Sequence, residues 1–525
     1  MKQPGYRKRT VFLLVALLLV RFWFGQTFEL SGQEAYLWLQ GHNLSPAYWE
    51  RGPFVPWLIR VGTLFFGDTE LGVRWLAAVI ACTSGFIVFY VARHWFDARS
   101  AFWTVVLFIL VPMYAWKLSF MTEAAVSTGL MALTLFAFCR ALEEDRLWWW
   151  LLGGASCGLA LLVAMANAWW IVGLILYFEI DAKRRARLSE VRPWISVVLA
   201  CLFLTPLVWW WRGSQVADVL HTRIANSWPL RHGFSWHEGF HFIWMEIWYL
   251  CPLFFILLAV ALWRLGRRLW HNSHYALLVC LALPGLVWQN LAAFFQEGRF
   301  DLTPALFLPL VLLTGGTVTQ LALTQPRAKW AAILVLAAAG LQSLSGLNPF
   351  YLAPSLNGKG YQILRTQSGE NVNGFDVTKR QISWRNLADA VQSLQRDQGA
   401  TLIIADSPET ASALSFYLPR NPFVYVEDRP GVITHFDFWP RYDESASPND
   451  SALFIGHSTD PDVGADPPLP GVVQDFAAVM PLDDPPLPNF DRSWKIWICR
   501  NFIGSNEQPA PTQIRPTFDS GALPK

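Results

Sequence analysis

Eleven long apolar runs, all within the first 350 residues, constrain this chain more than any other feature of its sequence. Crossing about 30 Å of hydrocarbon takes roughly 20 residues of helix, and a segment in lipid must satisfy its own backbone N–H and C=O groups, so each run is expected to be helical. The cores of the runs lie at 10–26, 71–92, 100–116, 124–142, 147–163, 168–180, 194–211, 242–263, 275–294, 302–323 and 330–348, the fifth and sixth being short. The fold class is therefore a polytopic α-helical membrane protein. Composition agrees: 53% of the 525 residues are hydrophobic and 15% charged, where a soluble domain carries about a quarter charged. The 29 Trp fit a chain rich in membrane–water boundary, where an apolar ring with one N–H donor is at home. A net charge of +2 argues against nucleic acid as a partner, since polyanion binders concentrate far more basic charge.

The short loops fix the orientation. Lys and Arg are retained on the cytoplasmic side, and with the N-terminus inside, every second loop is basic: Arg93 and Arg99; Arg140 and Arg146; Lys183, Arg184, Arg185, Arg187 and Arg192; Arg264, Arg267 and Arg268; Arg327 and Lys329. Lys2, Arg7, Lys8 and Arg9 precede the first run, which has no small-residue cleavage site and continues into Arg21-Phe-Trp-Phe, as an uncleaved helix does. Eleven crossings would place everything after residue 350 outside, so a bacterial chain would sit in the inner membrane with an extracytoplasmic C-terminal domain. Six of seven Cys fall in apolar runs and only Cys499 in the soluble part, so no disulfide framework is legible.

From 351 to 505 hydrophobic content falls and turn residues appear. Asn386–Leu394 and Thr410–Tyr417 read as helices, and Thr401–Ala405, Phe423–Val426, Ala452–Ile455 and Trp494–Cys499 as strands, together a small α/β domain. The Pro-rich tail, 506–525, has the composition of a disordered segment.

The outer loops hold the acids: Glu34 and Glu50 in the first, Glu123 in the second, and Glu297 with Asp301 beside Arg299 in the fifth. A carboxylate at the membrane surface can accept a proton from a hydroxyl or amine or hold a divalent cation against a phosphate. It can equally be a solvated loop acid, and Glu123, where the chain re-enters the bilayer, can equally be a helix-dipole cap. Arg51, Arg60, Lys117, Arg212, Arg223 and Arg299 are the outer-side cations available to a phosphate or to lipid headgroups. The apolar stretch after Pro53 suits a helix lying in the interface.

The order of motifs resembles a known family. Ser31-Gly-Gln-Glu-Ala-Tyr, then Tyr48-Trp-Glu-Arg-Gly-Pro-Phe, Pro56-Trp-Leu-Ile-Arg, Gly67-Asp-Thr-Glu-Leu-Gly-Val-Arg and Thr122-Glu-Ala are similar to membrane glycosyltransferases of the protein O-mannosyltransferase and aminoarabinose-transferase type. Ala405-Asp-Ser, Tyr417-Leu-Pro and Phe436-Asp-Phe-Trp-Pro resemble the extracytoplasmic domain of bacterial members. The resemblance implies a C-type glycosyltransferase (GT-C) fold over 1–350. It also implies a polyprenyl-phosphate-linked sugar donor reached from the lipid bilayer, and an extracytoplasmic acceptor that is a lipid, a glycan or a protein. On this resemblance Glu34 and Glu123 are the catalytic pair, Arg51, Lys117 and Arg299 take the donor phosphate, and Gln33, Tyr36 and Glu50 line the acceptor pocket. Gln33 stands where the family has an Asp, and Arg51-Gly52-Pro53 replaces its basic residue before a Pro-Pro pair. These departures keep open a second reading, a catalytically impaired or transport-related protein on the same scaffold. No cofactor is fixed by the sequence; a divalent cation is the one candidate.

His237-Glu-Gly-Phe-His241 satisfies the HExxH zinc pattern. Gly239 weakens the helix that pattern needs and no distant third ligand stands out, so an interfacial loop is the simpler account, with His237 and His241 kept as metal candidates. Glu246, Gln289 and Asn290 lie within apolar runs and are expected to face the bundle interior, as interhelical hydrogen-bonding groups or as lining of a donor groove.

Overall fold

The computed structural model describes residues 4–180, 182–212, 234–266, 270, 272–295, 304–345, 384–427, 434–457, 470–482 and 494–504. Within these, two compact units form: one comprises the described parts of Met1–Thr27, Val61–Pro206 and Asn226–Lys379, the other those of Phe28–Arg60, Leu207–Ala225 and Arg380–Lys525. The expected tail at 506–525 lies outside the described residues. The sequence assigned the first outer loop to the membrane domain, whereas compactness groups residues 28–60 with the C-terminal segment.

The described residues of the eleven apolar runs are helical apart from short breaks. In chain order the helices of interest are α1 (Pro4–Thr27), α2 (Gly32–His42), α3 (Phe54–Phe66), α4 (Glu70–Trp95), α5 (Ala98–Leu110), α6 (Pro112–Lys117), α7 (Glu123–Glu144), α8 (Leu147–Val163), α9 (Trp169–Glu179), α10 (Val191–Phe203), α11 (Thr205–Trp211), α12 (Trp236–Tyr249), α13 (Pro252–Leu265), α14 (Ser273–Ala293), α15 (Pro304–Thr324) and α16 (Pro326–Ser345). Five of the described helices are long and apolar enough to cross a membrane, or seven if α10 with α11 (bent by 44°) and α12 with α13 (bent by 87°) each count as one span. The protein is thus a multi-pass membrane protein, and that count is coarser than eleven. Proline explains two of the interruptions, because it lacks the N–H donor and its ring clashes with the preceding turn. Pro112 splits the third run into α5 and α6, and Pro252 starts α13 just after Cys251, whose φ is +70°.

Helix α8 packs along α7 and α10. The approach to α10 is close because Gly154 and Gly158, four apart on one face, meet backbone: a Cβ would lie 2.5 Å from Ser196 O at the first and 2.8 Å from Ala200 Cα at the second. Small residues at this spacing let helices pack in lipid, where dispersion rather than hydrophobicity holds them. Ser196 Oγ adds a 2.6 Å bond to Trp150 O. Glu246 and Gln289, both buried, face each other from α12 and α14 with Gln289 Nε2 donating at 3.3 Å, and Asn290 turns back on Leu286 O of its own helix. Asn290 also reaches the Glu246 carboxylate, so interhelical bonding accounts for all three.

The second unit is built on a five-stranded sheet, β1 (Leu402–Ala405), β2 (Tyr425–Val426), β3 (Ala452–His457), β4 (Phe476–Pro481) and β5 (Trp494–Phe502), in the order β2-β1-β3-β5-β4. β1 runs parallel to β2 and β3, and β5 antiparallel to β3 and β4. Helices α17 (Trp384–Gln398) and α18 (Pro408–Tyr417) precede and follow β1. Ile404, Phe454, Phe476, Trp497 and Cys499 form the core on one face. α2 packs on α18, with Trp38 edge-on to Phe416 at 4.9 Å and Leu30 N donating to Tyr417 Oη at 2.7 Å. Glu29 Oε2 accepts from Trp384 N at the start of α17.

Candidate functional site

Helix α2 begins with a capping box. Ser31 Oγ accepts from Glu34 N at 3.2 Å, while Glu34 Oε2 accepts from Ser31 N at 3.0 Å and from Ser31 Oγ at 3.1 Å. Ser-x-x-Glu ahead of an apolar stretch spells this motif, so the anchoring of Glu34 was readable at 31–34. Oε2 thus accepts twice within the cap, and Glu34 is fully buried. Gln33, one position earlier, is half-buried on the same first turn.

Tyr36, one turn on, reaches Glu50. Its Oη donates to Glu50 Oε1 at 2.9 Å, and the same carboxylate oxygen accepts the backbone N–H of His435 at 3.0 Å. Burial pushes the Glu50 carboxyl up, while the Tyr36 hydroxyl, the His435 N–H and the Arg51 guanidinium pull the other way. Tyr36 itself is raised well above the usual phenol value by burial and by the neighbouring carboxylate. Two of the three expected pocket residues are therefore joined through the C-terminal segment. The turn that meets them, His435–Phe438, is set by Thr434, which forms its own capping box with Asp437. Phe436 stacks on Tyr36 at 5.7 Å, and Phe438 lies 5.7 Å from both Trp49 and Trp210. Arg51 follows Glu50 directly and is half-buried; Arg60 Nη1 lies 3.1 Å from His42 Nε2.

The second acidic loop belongs to the membrane unit. Lys117 ends α6 and Glu123 opens α7, both half-buried. Glu123 sits at the first helical position, where the N-terminal dipole favours negative charge, and the N-cap residue Thr122 makes no side-chain cap bond. The intervening loop is braced by two buried cations that sequence reasoning did not single out. Arg21 of α1 donates to Ser119 Oγ at 3.0 Å and to the carbonyls of Tyr114 and Ala115 at 3.4 and 3.5 Å, satisfying carbonyls at the C-terminal end of α6. Arg74 of α4 lies over the rings of Phe24 and Phe120 at 5.8 and 5.3 Å. The available signal was the cost of an arginine within an apolar run, which nearly always has a partner.

Glu297, Arg299 and Asp301 fall outside the described residues, as does Arg223. His237 and His241 share one face of α12 with rings 6.1 Å apart, and His237 Nδ1 lies 3.3 Å from Glu238 Oε1. Among the described residues no three His, Cys, Asp or Glu side chains gather where a metal could be held.

Residues 50–211 match the family described as dolichyl-phosphate-mannose-protein mannosyltransferase. The undecaprenyl phosphate-alpha-4-amino-4-deoxy-L-arabinose arabinosyl transferase of Pseudomonas aeruginosa strain UCBPP-PA14 is 28% identical over 306 residues, 54% of this chain and 52% of that protein. The lipid A galacturonosyltransferase RgtD of Rhizobium johnstonii is 23% identical over 263 residues, 50% of this chain and 54% of that protein. The chain thus spans about half the length of the curated relatives it matches. Among solved structures, ArnT from Cupriavidus metallidurans bound to undecaprenyl phosphate superposes with a TM-score of 0.60 at 16% identity, covering 93% of this chain and 97% of that one. In sequence and fold the chain is similar to membrane glycosyltransferases of the GT-C type.

Proposed function

We propose that this chain, built on the GT-C fold, is a glycosyltransferase that moves a sugar from a polyprenyl-phosphate donor to an acceptor on the outer side of the membrane. The observation that carries this reading is that a single family match, residues 50–211, spans Glu50, Arg51, Lys117 and Glu123, charged groups from both of the first two outer loops, with Glu34 lying ahead of it. The reaction is a direct displacement at the anomeric carbon. The acceptor's nucleophile forms the new bond, its proton passes to a carboxylate, and the lipid phosphate departs with the electron pair of the broken bond. Two tasks then fall to the protein: accepting that proton, worth typically ~10²–10⁴ in rate, and stabilising charge on the leaving phosphate with pre-positioned cations. Glu34 and Glu123 take the first, with one of them free to orient the acceptor instead; Arg51, Lys117 and Arg299 take the second.

The acceptor class favoured by the name of the Rhizobium johnstonii relative is lipid A. Eleven crossings, with the five basic loops inside and the C-terminal segment outside, complete the proposal. Purified full-length protein in vesicles containing an undecaprenyl-phosphate-linked sugar and lipid A should release undecaprenyl phosphate, and Glu123→Gln should slow this by about 10²-fold or more. Absence of release by the parental protein would favour the impaired scaffold that Gln33 suggests.

A further inference from the structure

We propose that His435 is a positioning residue for the donor-phosphate segment: the C-terminal segment clasps residues 49 and 50 through the side chain and the main chain of this histidine and so fixes where Arg51 presents its charge. The inference rests on the function proposed above, in which Arg51 meets the phosphate, and adds a residue from the opposite end of the chain.

The clasp is reciprocal. Trp49 N donates to His435 Nδ1 at 3.2 Å, and His435 N donates to Glu50 Oε1 at 3.0 Å. Two successive residues of the outer loop are thus held by the side chain and the main chain of one partner. Because Nδ1 accepts, the neutral ring carries its proton on Nε2. Burial pushes the imidazole down to about 3, so the acceptor persists across the ordinary pH range. The clasp is also dry. His435 is 3% exposed, Tyr48 2% and Trp49 6%. Tyr48 lies edge-on to the imidazole at 4.8 Å, Trp439 edge-on at 5.0 Å and Phe438 stacked at 5.5 Å. Tyr36 Oη, which bonds Glu50, also accepts from His435 N at 3.1 Å. A backbone N–H buried in such a shell needs its acceptor. Loss of Nδ1 therefore obliges Trp49 N to find another partner, and the residues that follow to move with it.

The test separates the acceptor from mere packing. Asn places a side-chain oxygen near the position of Nδ1, whereas Gln places its amide near Nε2. Binding of undecaprenyl phosphate to the full-length protein should be within about twofold of parental for His435→Asn. For His435→Gln it should be weakened about tenfold, the scale of one lost charge-assisted contact. Equal affinity of the two variants, whether both parental or both weak, would overturn the proposal. If His435→Gln does not fold, His435→Leu, which fills the same space without an acceptor, takes its place: weakened binding supports the clasp, and parental binding overturns it. Failure of the parental protein to bind undecaprenyl phosphate would instead overturn the function from which this inference starts, a result distinct from any difference between variants.

Discussion

Glu34 combines two roles that alanine substitution would confuse. Its carboxylate closes the capping box of α2, and in the proposed reaction it is a candidate base. Glutamine can serve the same box but has no basicity, so Glu34→Gln separates them. We expect this variant to keep the parental unfolding temperature and to lose about 10²-fold or more in transfer rate, read by thermal unfolding and by release of undecaprenyl phosphate. Glu34→Ala should lose both, because it strips the Ser31 N–H of its acceptor at about 1–3 kcal/mol. A parental rate in Glu34→Gln would confine this residue to the cap. At this scale the sequence was legible where partners are near neighbours, as Ser31 and Glu34 are. It was opaque where they are not: nothing in Tyr36 or Glu50 pointed to His435, because a backbone N–H 385 residues away carries no residue-type signature. Arg21 and Arg74 were visible as arginines within apolar runs, but the carbonyls and rings that hold them belong to other segments of the chain.

Among the elements, the helices were the most legible, since hydrocarbon leaves a backbone few alternatives. The strands were nearly so: β1, β3 and β5 occupy the apolar β-branched stretches expected of them, while β4 was missed because Phe476–Pro481 has the weakly apolar, mixed-burial character of an edge strand. What the apolar pattern could not supply was continuity. Length in residues does not reveal an 87° break at Cys251 or a split at Pro112, so the runs translate into helices more faithfully than into crossings. The contact of α8 with α10 shows how an element-level prediction arises from two glycines. A side chain at Gly158 would meet the backbone of Ala200 at 2.8 Å, and neither helix can retreat without losing the contacts that replace the hydrophobic effect in lipid. Gly158→Leu should lower the unfolding temperature of the detergent-solubilised protein by several degrees, an overpacking cost of about 1–3 kcal/mol, while Gly5→Leu, at a position with open space around it, should leave it unchanged.

For the molecule as a whole, the grouping of residues 28–60 with the C-terminal segment governs how the chain is completed. The apolar faces of Tyr36, Trp38, Tyr48 and Trp49 are covered by Phe416, Phe436, His435 and Phe438, all made some 400 residues later. At roughly 5–20 residues per second of synthesis, the early loop waits on the order of 20 to 80 seconds for its partner, its aromatic surface uncovered throughout. A chain stopped after residue 383 should therefore insert its helices yet leave the loop protease-sensitive. Limited proteolysis should cut the truncated protein between residues 28 and 60, and spare that stretch in the full-length one. The buried clasp at Trp49 and His435 thus carries a consequence in time: the outer loop is expected to resist cleavage only after Phe416 and the 435–438 turn have been made.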